Sequence, residues 1–427
     1  MNTTVRTFRW RKHLRLLALF CAALLLGQAA HAAENLTLED AITATITRNP
    51  DLQAFGYALR AQDGRILQAS LAPKPELNVA IEDVLGTGVA RGLSGSQTTV
   101  SIAWVVEGDL RQRRIDAARM GSLTLVAEAQ VMRLDAAAQT ARLYTHALAD
   151  QLRRDMADSA VQLATENIAA IQQRVTTGIA MTSELAQAEA ALAKRVLYRE
   201  DFEHELTADY HRLAAQWGDL TPQFERVEGD PLRLPVVEPY ETLVTRIEQN
   251  PDLSHFLSET RLQESLLQLE QAQSNSLWRF NAGLRRLQSS SDTGFVAGVS
   301  IPLNRGNLNQ GRIAEVRATL EQTDAMAAAT RIRIQTSLLV IYLELQHNIH
   351  RAETLRDEVI PRFEAALAEI HRAYDLGSAS YLERLQVQEE LLDARSELAE
   401  TSVQAHLKLI EIERLTGARL AQLPVAP

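Results

Sequence analysis

The sequence is a tandem duplication of one unit of roughly 200 residues. The tetrapeptide NPDL occurs at 49–52 and again at 250–253, and the stretch RVTTGIAMTSEL from Arg174 is echoed by RAYDLGSASYLE from Arg372. Such a unit is far longer than the about 20 to 50 residues of a solenoid repeat. The sequence therefore predicts two copies of one fold, residues 36–218 and 239–417, joined by residues 219–238.

A basic and apolar leader precedes the first unit. Its basic residues lie before an apolar run at 14–26, and Ala30-His31-Ala32 supplies the small residues that signal peptidase requires. The run is shorter than the about 20 residues that a spanning helix needs. We therefore interpret 1–32 as a signal peptide and 33–427 as the mature, exported chain; an uncleaved anchor is the alternative. Phe20 precedes the single cysteine, Cys21, where a lipoprotein signal has a small residue, so we expect neither a lipid anchor nor a disulfide.

Charge and composition narrow the class of protein further. The formal net charge is −10 for the full chain and falls to −15 without the leader, which argues against nucleic acid as a partner. Only 5% of the residues are aromatic. Such a composition is poor for a thick globular core but suits closely packed long helices.

Each unit contains a segment in which the apolar period changes from 3.6 residues to 2. The alternation predicts strands at 76–84, 99–106, 278–285 and 295–301, paired as two hairpins with polar loops at 85–96 and 288–293. One apolar and one polar face, on strands of about 9–11 residues, is the pattern of a strand that crosses a bilayer. The lipid-facing candidates are Val79, Ile81, Ile102, Trp104, Phe280 and Val299.

Very long helices are predicted after each hairpin. Residues 110–176 contain no proline, and residues 308–374 contain only Pro361. Apolar and small residues recur at spacings of three and four in both stretches, as in a coiled coil with close helix packing. Gly178 and Gly377 then predict sharp turns, followed by returning helices that end near Gly218 and Gly417.

Four strands per chain cannot close a barrel, and open strand edges are not tolerated in lipid, so we expect other copies of the chain to complete it. At this point the chain resembles the TolC-like outer-membrane efflux proteins over essentially its whole mature length. The most specific matches are the junctions WVVEGDLRQRRIDAA from Trp104 and PLNRGNLNQGRIAEVRA from Pro302, together with the two turn segments. The amino-acid sequences of the helices are most similar to those of the branch that serves cobalt-zinc-cadmium exporters.

The resemblance implies a fold that is mainly α with a small transmembrane β-hairpin region. It implies a homotrimer with a twelve-stranded β-barrel in the outer membrane of a Gram-negative bacterium and a long α-barrel in the periplasm. It also implies a passive exit duct that receives its substrate from an inner-membrane pump and a periplasmic adaptor.

By the same resemblance, the adaptor meets the segments around the two glycine turns. The docking candidates are Arg174, Gly178, Glu184, Arg372, Gly377, Ser380, Leu382 and Glu383. Asp375 is the gate candidate, because charge rings select ions in pores. The alternative interpretation is that the glycines only terminate helices and the acidic residues only cap them.

No enzyme motif is found in the sequence, and no cofactor or metal site is expected. His347 and His350 share a helix face at spacing i, i+3, but no third ligand is evident. A periplasmic coiled-coil adaptor or scaffold is the alternative function, although such a chain has one helical hairpin rather than two. A nutrient porin would need many more strands. The sequence does not identify the transported substrate.

Overall fold

The computed structural model describes residues 35–303 and 306–417, and the predicted signal peptide lies outside these residues. The first half of the chain contains α1 (Leu38–Arg48), α2 (Pro50–Ser70), β1 (Glu76–Glu82), β2 (Gln97–Val106), α3 (Leu110–Thr176) and α4 (Thr182–Ala215). The second half repeats this order with α5 (Tyr240–Arg246), α6 (Pro251–Gln273), β3 (Trp278–Leu287), β4 (Thr293–Ser300), α7 (Gln310–Thr354), α8 (Ile360–Asp375) and α9 (Tyr381–Thr416). The predicted fold class, mainly helical with one small sheet, is confirmed.

The two NPDL segments form identical joints between helices. Asn49 and Asn250 each stand before a proline that begins a helix, where the missing proline N–H costs no hydrogen bond. The Asn250 Oδ1 atom accepts a hydrogen bond from the Asp252 N–H at 2.7 Å, and its Nδ2 donates to the Leu415 carbonyl at 2.8 Å. The Asn49 side chain makes the equivalent bond to the Gln216 carbonyl at 2.8 Å. Each joint thus fixes a helix start onto the end of the returning helix.

Helix α3 is continuous over 67 residues, which corresponds to about 100 Å. Its counterpart in the second half is also helical throughout 310–375, as predicted, but it contains an irregular turn that was not predicted. Residues 355–359 form a π-helical turn in which the Ile360 N–H donates to the Leu355 carbonyl. Pro361 has no N–H to continue the regular ladder, so a wider turn takes up the mismatch before α8 begins.

The core lies along the seams between the long helices. Ala138 and Ala141 of α3 are fully buried against Leu213 of α4, and Leu338 and Leu345 of α7 are fully buried in the equivalent cluster. Small side chains at these positions let the helix axes approach closely. Within the described ranges, no helix has both the length and the apolar composition needed to cross a bilayer.

The four strands form one antiparallel sheet in the order β1-β2-β3-β4. The two predicted hairpins are confirmed, and the central pair, β2 with β3, joins the two halves of the chain. Ile301, predicted as strand, lies just beyond β4. The sheet and the two glycine turns therefore lie at opposite ends of α3.

Candidate functional site

The sheet has one continuous apolar face. Val79 lies opposite Val100, and Phe280 lies between Trp104 and Val299 in adjacent strands. The rings of Trp104 and Phe280 stack with centroids 6.2 Å apart. All six lipid-facing candidates share this face, namely Val79, Ile81, Ile102, Trp104, Phe280 and Val299. Apart from the partly buried Phe280, they are exposed in the single chain, so the face is unpartnered.

The opposite face of the sheet is polar. Ser101, Asn281 and Ser300 lie on it, together with charged residues of β1 and β3. Glycines on this face, such as Gly298, keep the side-chain layer thin. A sheet with one apolar and one hydrophilic face suits a boundary between lipid and water.

The two edges of the sheet are open within the described residues, since β1 pairs only with β2 and β4 pairs only with β3. Each edge presents backbone N–H and C=O groups that a further strand can pair with. Both edges are therefore able to pair with further strands.

At the other end of the molecule, the first glycine turn ends α3. Gly178 has a φ of +74°, its N–H donates to the Val175 carbonyl at 3.0 Å, and the Ile179 N–H donates to the Arg174 carbonyl at 2.9 Å. This pair of bonds is the Schellman motif, which requires a left-handed residue at the turn. Glycine adopts that conformation without a steric penalty.

The second turn repeats the motif after α8. Gly377 has a φ of +75° and donates to the Tyr374 carbonyl at 3.0 Å, while the Ser378 N–H donates to the Ala373 carbonyl at 2.9 Å. The predicted chain reversal at both glycines is confirmed.

A capping box starts the returning helix α9. The Glu383 N–H donates to Ser380 Oγ at 3.3 Å, and the Ser380 N–H donates to Glu383 Oε2 at 2.8 Å. The hydrogen bonds from the Ser380 backbone and hydroxyl lower the pKa of Glu383. In the first turn Met181 takes the place of the serine, and its N–H donates to Glu184 Oε1 at a longer 3.4 Å. Glu383 therefore acts as a cap, as the alternative interpretation predicts.

The two turns of one chain are held together by a cluster around Tyr374, which is buried. The Arg174 guanidinium carbon lies 4.3 Å from the centre of the Tyr374 ring, and an Arg174 nitrogen lies 3.8 Å from Asp375 Oδ1. The Tyr374 hydroxyl donates to Glu184 Oε2 at 3.1 Å. Burial, followed by this bond to the carboxylate, raises the pKa of Tyr374. Arg174, Glu184 and Asp375 are thus brought together.

Sequence reasoning missed three members of this cluster, namely Tyr374, Tyr381 and Arg384. Arg384 lies with its guanidinium carbon 4.7 Å from the ring centre of Tyr374 and 5.3 Å from that of Tyr381. Arg384 is 8% exposed and Tyr381 is 5% exposed. The signal available in the sequence was the presence of two of only eight tyrosines on either side of one turn.

Two other predicted tip residues lie outside the cluster. Arg372 forms an ion pair with Glu369 at 2.7 Å, and both side chains are exposed. Leu382 is 62% exposed and, like Leu376, points an apolar side chain into solvent. Their exposure leaves them free for a partner, but no contact of theirs identifies one.

In residues 35–303 and 306–417, no group of three or more His, Cys, Asp or Glu side chains is arranged to hold a metal ion. His347 and His350 therefore remain a pair without a third ligand.

Part of the chain matches a known family profile, and the chain is similar to characterised proteins. Residues 244–418 match the sequence profile of the family described as outer membrane efflux protein. The cobalt-zinc-cadmium resistance protein CzcC of Cupriavidus metallidurans is 26% identical over 386 residues, which cover 90% of this chain and 91% of that protein. The nickel and cobalt resistance protein CnrC of the same organism is 26% identical over 310 residues, or 71% of this chain and 73% of that protein.

Solved structures agree with the observed fold. The outer membrane protein VceC of Vibrio cholerae superposes with a TM-score of 0.72 at 17% identity, covering 90% of this chain and 96% of VceC. The open state of the MtrE outer membrane channel of Neisseria gonorrhoeae gives a TM-score of 0.68 at 13% identity, covering 90% and 89%. The resemblance predicted from the sequence is confirmed.

Proposed function

We propose that this chain, an outer-membrane efflux protein with the TolC-like fold, is the passive exit duct of a tripartite export system. The observation that carries the proposal is the two-faced sheet set at one end of helices about 100 Å long. The sheet crosses the outer membrane, and the helices extend from it into the periplasm. No step of the transport requires bond chemistry in this chain.

The duct is a homotrimer. Each chain offers two open edges, and each unpaired backbone group in lipid costs several kcal/mol, so the edges must meet other copies. Three copies give twelve strands, with β4 of one chain pairing to β1 of the next. The apolar faces turn outward to outer-membrane lipid, and the polar faces line the pore.

The chain is organised as a signal peptide at 1–32 and one efflux domain at 33–427, built from the repeats 36–218 and 239–417. The two hairpin turns form the periplasmic tip, which docks a periplasmic adaptor and through it an inner-membrane pump. The exposed Arg372 and Leu382 are the adaptor contacts, and the two capped glycine turns set their position. The contact between Arg174 and Asp375 belongs to the gate, because it joins the two hairpins of one chain.

The cargo is a heavy-metal cation. The names of the relatives CzcC and CnrC refer to resistance to cobalt, zinc, cadmium and nickel, and this supports the assignment. Because divalent ions pass through an open duct without ligation, no resident metal site is needed.

Growth of a deletion strain tests the function. The strain is complemented with the full chain and challenged with cobalt, zinc, cadmium and nickel, and in parallel with drugs and dyes. We expect rescue on metals together with a heat-resistant trimer in the outer-membrane fraction. Rescue on drugs alone would overturn the assignment of a metal cargo. A stable monodisperse monomer in light scattering would overturn the proposal that the chain forms a duct.

A further inference from the structure

The charged residues on the polar face of the sheet form two Arg–Glu pairs that span three strands. Arg279 of β3 lies 2.9 Å from Glu76 of β1, and Arg285 of β3 lies 3.3 Å from Glu82 of β1. Strand β2 runs between the partners of each pair. Both guanidinium groups therefore lie across the sheet rather than projecting straight out from it.

Arg285 is held by further hydrogen bonds besides its contact with the Glu82 carboxylate. Its Nε donates to Thr99 Oγ1 at 3.0 Å, and one terminal nitrogen donates to Gln97 Oε1 at 3.3 Å, so β2 supplies two further acceptors. An arginine held by several acceptors in a fixed fork keeps its orientation better than one held by a single charge contact.

Small residues beside the pairs leave room for this arrangement. A Cβ atom at Gly283 would lie 2.3 Å from the Val100 carbonyl oxygen, and one at Gly298 would lie 2.5 Å from Asn281 Oδ1. Both positions are on the polar face, between the rows that hold Arg279 and Arg285. A larger residue at Gly283 would press on the β2 backbone, and one at Gly298 would displace the Asn281 side chain.

The charges of the two Arg–Glu pairs cancel within one chain. The charged residues on the polar face of the four strands are Glu76, Glu82, Arg279 and Arg285, which sum to zero. No second copy is needed to neutralise them. In a ring of three copies, each of the four residues recurs three times around the pore.

We propose that Glu82 and Arg285 determine ion selectivity in the strand-lined part of the duct by cancelling each other's charge. This inference rests on the proposed function. Three uncompensated arginines would repel a departing cation, and three uncompensated glutamates would hold a divalent cation at the wall. Conduction requires binding weak enough for the ion to leave, so the paired state favours free passage.

Reversal potentials of purified trimers in planar bilayers under a KCl gradient test the proposal. Arg285→Gln should raise the ratio of K⁺ to Cl⁻ permeability by at least about twofold, and Glu82→Gln should lower it by a similar factor. The double variant Glu82→Gln/Arg285→Gln should return to the wild-type ratio, because both charges are gone.

The neighbouring Arg286 provides a matched control, since it lies opposite Thr98 on the apolar face. Arg286→Gln removes the same charge one residue away and should leave the ratio unchanged. Equal shifts in the Arg285 and Arg286 variants, or unchanged ratios in all conducting variants, would overturn the inference while leaving the duct intact. Trimers that form no pore, wild type included, would instead overturn the proposed function on which it rests.

Discussion

Replacing Asn250 by alanine should loosen the start of α6 without affecting the equivalent joint in the first half of the chain. Asn250 is fully buried and makes bonds in both directions, to the Asp252 N–H and to the Leu415 carbonyl. Alanine removes the cap and also leaves the partly buried Leu415 carbonyl without its donor.

The expected cost follows from these two bonds. Loss of an N-cap costs about 0.5–2 kcal/mol. Leaving a buried acceptor unsatisfied costs about 1–3 kcal/mol. Because the two losses share one side chain and are not additive, we expect about 2–4 kcal/mol in the local opening free energy. At about 1.4 kcal/mol per factor of ten, amide hydrogen exchange near Leu253 should accelerate roughly 30- to 700-fold.

Hydrogen exchange followed by mass spectrometry on the intact oligomer measures this directly. Asn49→Ala should produce the same acceleration near Leu52, because Asn49 bonds the Gln216 carbonyl in the same way. The exposed Asn275, at the end of the same helical segment, provides a neutral control. If Asn250→Ala exchanged no faster than Asn275→Ala near Leu253, the joint would not depend on the asparagine and the reasoning would be wrong.

Four further predictions concern the sheet, the tip and one buried acid. Val299→Arg should cost about 2–4 kcal/mol by placing a charge on the lipid face, whereas Ser300→Arg should be tolerated; equal loss of heat-resistant oligomer would contradict the face assignment. Gly377→Val should abolish export while trimer levels in the outer membrane stay normal, since valine is strained at a φ of +75°. Glu383→Lys should weaken adaptor cross-linking more than assembly, because it breaks the capping box that positions Leu382; unchanged cross-linking and resistance would show that the cap does not position the docking surface. Burial raises the pKa of Glu413 to about 7, so its contribution to stability is complete below the unfolded value and is lost as the pH rises through about 7. Glu413→Gln should therefore flatten the pH dependence of the melting temperature between about pH 4.5 and 7, and an unchanged profile would contradict the burial argument.

The elements of the fold were predictable because their signals are local. Alternation gave the four strands, the glycines gave both turns, and the uninterrupted stretch at 110–176 gave α3. The π-helical turn at 355–359 was not predicted, although Pro361 was visible in the sequence. A proline can kink a helix, end it or widen one of its turns. Here the turn is widened, and Leu232 and Leu234 pack against it. The sequence does not display that packing.

The candidate site was only partly predictable for a related reason. The spacing of Arg174 and Gly178 from their repeats pointed to the tip, but Tyr374, the centre of the cluster, has no counterpart in the first turn. A comparison of the two repeats draws attention to the residues that they share, and it overlooks residues such as Tyr374 that occur in only one of them. Likewise, proline explains why NPDL breaks a helix, whereas the role of its asparagine depends on a carbonyl 165 residues away.

The open strands β1 and β4 also constrain how the protein reaches its membrane. A solitary chain cannot enter lipid, because every free edge group would lose its water without gaining a partner. For the proposed trimer, insertion must therefore involve three chains together, and its rate should rise far more steeply than linearly with the concentration of the chain in the periplasm.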